Sequence, residues 1–122
     1  MLIVEDSFYS ADLNLREIKK AELIVRRHQM VSGGQTMRQA LREGSWDLII
    51  SDNLMPNFSA LKALEIRNSV NRDIPFIIVS EDITERDIEK AFKEGCSAFV
   101  SKEELPKLRK VVRDVLGLNV GR

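Results

Sequence analysis

The chain has 122 residues, 43% hydrophobic and 31% charged, a length that suits one domain burying ~65% of the surface its unfolded chain exposes. Its 19 Lys and Arg balance 19 Asp and Glu, which excludes a whole-molecule attraction to nucleic acid, anionic lipid or acidic substrates and makes any electrostatic function local. One cysteine, Cys96, and one histidine, His28, exclude an internal disulfide and a zinc cluster, no apolar run approaches the ~20 residues of a bilayer span, and the N-terminus lacks signal-peptide features, so a reducing, cytoplasmic setting without membrane contact is expected.

Residues 2–4 open the chain as a short apolar run, the pattern of a strand buried on both faces. Ser7 then offers an N-cap, and Phe8, Ala11, Leu15 and Ile18 recur at helical spacing. Residues 22–31 hold a second, weaker strand. Gly33 and Gly34 mark a turn, too far from any P-loop lysine to be a phosphate loop, before a helix with Met37, Ala40 and Leu41 on its apolar face and Gly44 after it. Residues 48–50 form a third strand, with Trp46 capping the core edge. A helix through Leu61 and Leu64 leads to a fourth strand at 76–79. Thr84 caps a helix carrying Ile88, Ala91 and Phe92 and ending before Gly95. Residues 98–100 form a fifth strand, and Leu105, Leu108, Val112 and Val115 mark a last helix with Pro106 in its first turn. Strict alternation predicts an α/β domain, a doubly wound parallel sheet with helices on both faces. Residues 1–116 make the domain and 117–122 a short tail.

In such a sheet, ligands bind outside the carboxyl ends of the strands. Those ends are polar here: Glu5-Asp6, Ser51-Asp52, Ser80-Glu81-Asp82 and Ser101-Lys102. Carboxylates crowded together repel by kilocalories at short range, so the cluster points to a divalent cation with an anionic group beside it. Oxygen donors without His or Cys favour magnesium.

The segments Leu2-Ile3-Val4-Glu5-Asp6-Ser7, residues 47–52 followed by Met55-Pro56, residues 75–80 and residues 98–102 together resemble the receiver domain of two-component response regulators, of chemotaxis type and flavodoxin-like fold. The resemblance runs over 2–116. It implies a five-stranded (βα)5 sheet in the order 2-1-3-4-5. It implies that Asp52 accepts a phosphoryl group from a sensor histidine kinase or histidine phosphotransfer protein. Asp6 and Asp52 would bind Mg²⁺ directly, Glu5 through a water, and the Leu54 backbone carbonyl would complete the protein ligands. Lys102 would neutralise charge from the other side, Ser80 would donate its hydroxyl to the phosphoryl group, and Phe99 would swing inward. The output would be a changed surface over residues 84–116 for a downstream protein or an attached output domain, a homodimer included. This domain would bind no nucleic acid directly. No turnover of an external substrate is expected, only self-phosphorylation and slow self-dephosphorylation.

Four positions depart from the pattern. Glu81 follows Ser80 where a small residue is usual, so a carboxylate is expected to overhang the site and hinder phosphoryl uptake. Glu103 follows Lys102 where proline is usual, which removes a cis peptide. Ala60 replaces a frequent glycine, and Phe99 the commoner tyrosine. Glu81 and Glu103 motivate an alternative, a pseudo-receiver that interacts without regulation by phosphate. A haloacid dehalogenase-type phosphatase would need a second Asp where Leu54 stands, and a flavin phosphate would be repelled by Glu5-Asp6. The basic residues Lys107, Arg109, Lys110 and Arg113 read as a solvated helix face, His28 as a surface residue and Cys96 as buried filler.

Overall fold

A computed structural model describes residues 1–23 and 25–117, so all of the expected tail beyond Gly117 lies outside the described residues. Five strands alternate with helices: β1 (Leu2–Val4), α1 (Phe8–Lys20), β2 (Gln29–Val31), α2 (Gly34–Glu43), β3 (Ile49–Ser51), α3 (Ala60–Val70), β4 (Phe76–Ser80), α4 (Glu85–Lys93), β5 (Ala98–Ser101) and α5 (Leu108–Val115). All pairings are parallel and the order is β2-β1-β3-β4-β5, the flavodoxin-like arrangement expected.

The pleat sorts each apolar run between two cores. Leu2, Val4, Ile49, Phe76 and Ile78 face Met37, Ala40 and Leu41 of α2, Ala60, Ala63 and Leu64 of α3, and Ala91 of α4. Ile50, Ile77, Val79 and Val100 face Ile18 of α1 and Leu108 and Val112 of α5. Both faces are covered by helices, which is why these runs contain almost no polar residue.

The expected caps form. Ser7 Oγ accepts from Ser10 N–H and Thr84 Oγ1 from Asp87 N–H, each at the first turn of its helix. Gly95 follows α4 with φ of 101°, in the left-handed region that glycine occupies without strain. Trp46 is buried, its Nε1–H donating to Ala40 O at 2.9 Å while Arg27 stacks 4.6 Å from its ring centroid. Cys96 is buried and His28 exposed, as expected.

Three expectations need correction. Phe8 is not on the buried face of α1 but 82% exposed, because that first helical turn stands beyond the strand ends and has no sheet beneath it. Phe92 is exposed too, and α4 buries Ala91 alone. Leu105 and Pro106 belong to a 3-10 segment, Lys102–Lys107, with Glu104 out of helical conformation, so α5 starts at Leu108. Of the basic residues read as a solvated face, Lys107 and Lys110 are exposed, in local pairs with Glu104 and Asp114, while Arg109 pairs with Glu17 and Arg113 donates to Ala21 O.

Candidate functional site

Parallel register brings the carboxyl ends of the strands level. Val4 lies opposite Ser51, Ser51 opposite Ile78, and Ser80 opposite Ser101. The ladder runs one residue further, with Glu5 N–H donating to Val31 O and Asp52 N–H to Val4 O, both at 2.9 Å. Glu5 and Asp52 are thereby held by backbone rather than by mobile loop. One carboxylate oxygen from each of Glu5, Asp6 and Asp52 lies within 4.8 Å of the others. Glu5 and Asp52 are buried, while Asp6 is exposed.

The lysine arrives from the other side. Lys102 Nζ is 3.4 Å from Asp52 Oδ2 and 3.7 Å from Glu5 Oε2. All described peptide bonds are trans, so the bond before Glu103 is trans, as the missing proline implies, and the ammonium still reaches the carboxylates. Ser80 is buried at the end of β4, and its Oγ accepts from Asp82 N–H at 3.2 Å. Glu81 beside it is exposed. Phe99 is half-buried and packs against the core on the α2, α3 and α4 side. Leu54, two residues past Asp52, is 64% exposed. With Phe8 and Tyr9 at the start of α1, it is among the large apolar side chains left in solvent.

The charges are not settled by protein groups alone. Glu5 Oε1 accepts from the N–H groups of Asp6 and Ser7, each at 3.1 Å. Its Oε2 is buried with no hydrogen-bond partner among the described residues. Burial first, and the Asp52 carboxylate next, push the Glu5 pKa up from 4.5 to about 7, against the Ser7 N–H and the Lys102 ammonium. Three carboxylates sharing one ammonium leave a net negative pocket of hard oxygen donors, with an orphaned buried oxygen. That donor set fits a divalent cation such as Mg²⁺.

Sequence reasoning missed Asn53. Its Nδ2 donates to Asp82 O at 2.8 Å, its Oδ1 accepts from Ala60 N–H at 3.3 Å, and its own N–H donates to Asp52 Oδ1 at 2.8 Å. The only signal was an amide residue directly after Asp52. A concavity of about 880 Å³ lies away from the carboxylates, between Met1, Trp46, Leu48, Val112 and Leu116 at the opposite end of the strands. It contains none of the site residues.

Known proteins share this fold. The sequence profile of the response regulator receiver domain matches residues 1–113. The transcription factor SKN7 of Saccharomyces cerevisiae is 28% identical over 84% of this chain. The match spans only 16% of that protein's length. The receiver domain of the Francisella response regulator 1452 superposes with a TM-score of 0.78 at 18% identity, covering 95% of this chain and 94% of that one. The receiver domain of the sensor histidine kinase PA1611 of Pseudomonas aeruginosa, solved with a magnesium ion in its active-site cleft, gives 0.76 at 18% identity, with 95% of each chain covered. No helix among the described residues is long and apolar enough to cross a membrane.

Proposed function

The chain belongs to the response regulator receiver domain family, and from that membership we propose that it accepts a phosphoryl group on Asp52 from a histidine kinase or histidine phosphotransfer protein and thereby changes the surface formed by α4, β5 and α5. The observation that carries this reading is Lys102 Nζ at 3.4 Å from the Asp52 carboxylate, within a cluster completed by Glu5 and Asp6. A carboxylate oxygen of Asp52 attacks phosphorus, the P–N bond of the donor breaks, and its electron pair stays on the imidazole nitrogen. Water later cleaves the acyl phosphate to inorganic phosphate and the free carboxylate. The cycle acts on the protein itself and turns over no external substrate.

Each residue has a physical task. Asp6, Asp52, Glu5 through a water, and the Leu54 carbonyl would hold Mg²⁺, which when bound neutralises negative charge as the phosphoryl group approaches. Lys102 supplies the same neutralisation from the protein side and holds Asp52 in place. Ser80 turns its hydroxyl from the Asp82 N–H to a phosphoryl oxygen, and Phe99 follows inward. Because α4 buries only Ala91, little packing opposes movement on that side. Phe8, Tyr9 and Leu54 offer apolar surface near the site for a donor protein. The setting is cytoplasmic.

Incubation with acetyl phosphate and Mg²⁺, followed by mass spectrometry of borohydride-trapped protein, is expected to place the label on Asp52 and none on the Asp52→Asn variant. Absence of label, or label elsewhere, would overturn the reading in favour of an interaction module not regulated by phosphate. Glu81 bears on the rate. An exposed carboxylate next to Ser80 repels the incoming phosphodonor, and every ~1.4 kcal/mol of that repulsion is a tenfold change. Glu81→Ala is expected to accelerate labelling by up to ~10-fold in low salt, with a smaller gain at high salt. A variant that labels no faster would show that Glu81 leaves the approach clear.

A further inference from the structure

Asn53 sits where three segments meet. Its amide can satisfy its neighbours in one orientation only, because a carbonyl, that of Asp82, must meet the NH₂ and an N–H, that of Ala60, must meet the oxygen. Ala60 is the first residue of α3, so this oxygen satisfies a donor that the helix leaves unpaired. The other half of the amide reaches 29 residues along the chain into the loop between β4 and α4. Among the described residues, this is the hydrogen bond that ties residues 81–84 to the acceptor loop.

The same loop carries the switch. Ser80 Oγ accepts from Asp82 N–H, so Asp82 is gripped twice, at its N–H by Ser80 and at its carbonyl by Asn53. Ser80 Oγ could donate its proton while still accepting from Asp82 N–H, but carrying Oγ itself toward a phosphoryl group takes it from that N–H unless the loop follows. To follow, the Asp82 carbonyl must leave Asn53. We propose that Asn53 is a positioning residue, a latch that holds the Ser80-bearing loop to the phosphoacceptor loop before phosphorylation and sets the cost of releasing it. The inference rests on the reading of Asp52 as phosphoacceptor, and it adds a residue through which the resting state is maintained. Asn53 acts through Asp82 and Ser80 and performs no chemistry itself.

Two readouts test it. In the resting protein, amide hydrogen exchange of residues 81–84 is expected to quicken at least ~5-fold in Asn53→Ala and in Asn53→Asp. Asn53→Asp keeps an acceptor for Ala60 N–H while losing the donor to Asp82 and adding a charge, so it preserves the start of α3 if Asn53→Ala destabilises the fold. The second readout is the affinity for beryllofluoride, a phosphoryl mimic, with Mg²⁺. Asn53→Ala is expected to tighten it ~5-fold, about the worth of one neutral hydrogen bond no longer broken on switching. The gain should vanish in the Ser80→Ala background, where the loop has no hydroxyl to deliver. A merely structural role for Asn53 would weaken binding equally in both backgrounds. Unchanged loop exchange in both Asn53 variants overturns the latch, whatever the mimic does, and so does a gain that persists without the Ser80 hydroxyl. A loop that loosens in a protein whose native sequence takes up no beryllofluoride leaves the tether standing and overturns the phosphoacceptor reading instead.

Discussion

Arg67→Ala is expected to destabilise the fold by about 4 kcal/mol, more than any surface substitution. Arg67 is only 2% exposed although it carries a charge. Its Nη1 donates to Arg72 O and its Nη2 to Gly95 O, each at 2.5 Å, and its guanidinium lies 5.8 Å from the Phe76 ring centroid. The cation therefore sits at the carboxyl end of α4, where the helix presents unpaired carbonyls and negative partial charge. Asn68 and Arg72 donate to the neighbouring Glu94 O, completing a clamp from the end of α3 and the turn after it. Gly95 suits this clamp through its φ of 101°, since a Cβ there would make only ordinary contacts of 3.4–3.6 Å with the Arg72 and Arg67 guanidinium nitrogens. Truncation leaves two part-buried carbonyls without this donor and opens a cavity where the buried side chain stood. Thermal melts should show a midpoint lower by roughly 15 °C, with Arg67→Met recovering part of the packing but none of the hydrogen bonds. A loss under ~1 kcal/mol would mean that water replaces the guanidinium at no cost.

Glu5→Gln is expected to stabilise the cation-free protein at pH 8 by on the order of 3 kcal/mol and to leave it unchanged at pH 4. The folded protein holds the Glu5 proton up to about pH 7, whereas the ordinary value is 4.5. A tenfold step in proton affinity is worth ~1.36 kcal/mol. With its pKa raised on folding, Glu5 contributes stability that is fully present below 4.5 and is lost as pH rises through about 7. Above that pH the native state holds a buried carboxylate against Asp52, with Lys102 as partial compensation. Denaturant titrations from pH 4 to 8 measure this directly. A wild type and variant of parallel pH dependence would show that Glu5 is already ionised at pH 4.5. Under the proposed function a divalent cation needs the ionised carboxylates, so its apparent affinity should fall as pH drops below 7.

The alternation of strand and helix was legible because strands covered on both faces need unbroken apolar runs, and residues 2–4 and 76–79 have no other use. The site was legible for the same reason. Where a run like Phe76–Val79 gives way to Ser80-Glu81-Asp82, the strand is ending, and parallel topology collects all such ends at one edge. Glu5, Asp6, Asp52 and Lys102 could therefore be grouped from spacing alone. The buried extent of α1 and the start of α5 could not. Helical periodicity names a face but not how far the sheet extends beneath it, so Phe8 fell on the apolar stripe of α1 and yet stands in solvent.

Other properties arise only where segments distant in sequence meet. Arg67 occupies a buried position of α3, in step with Ala60, Ala63 and Leu64, and only the carbonyls of Arg72 and Gly95 make a cation tolerable there. The raised pKa of Glu5 depends on Asp52, 47 positions away, and on burial that no local pattern encodes. Asn53 is one amide among several in the sequence until Asp82 and Ala60 are placed beside it. Apolar periodicity is a local record of which way a side chain must face. Hydrogen-bond partners and electrostatic environment belong to pairs of residues, and the pairs exist only once the sheet has closed.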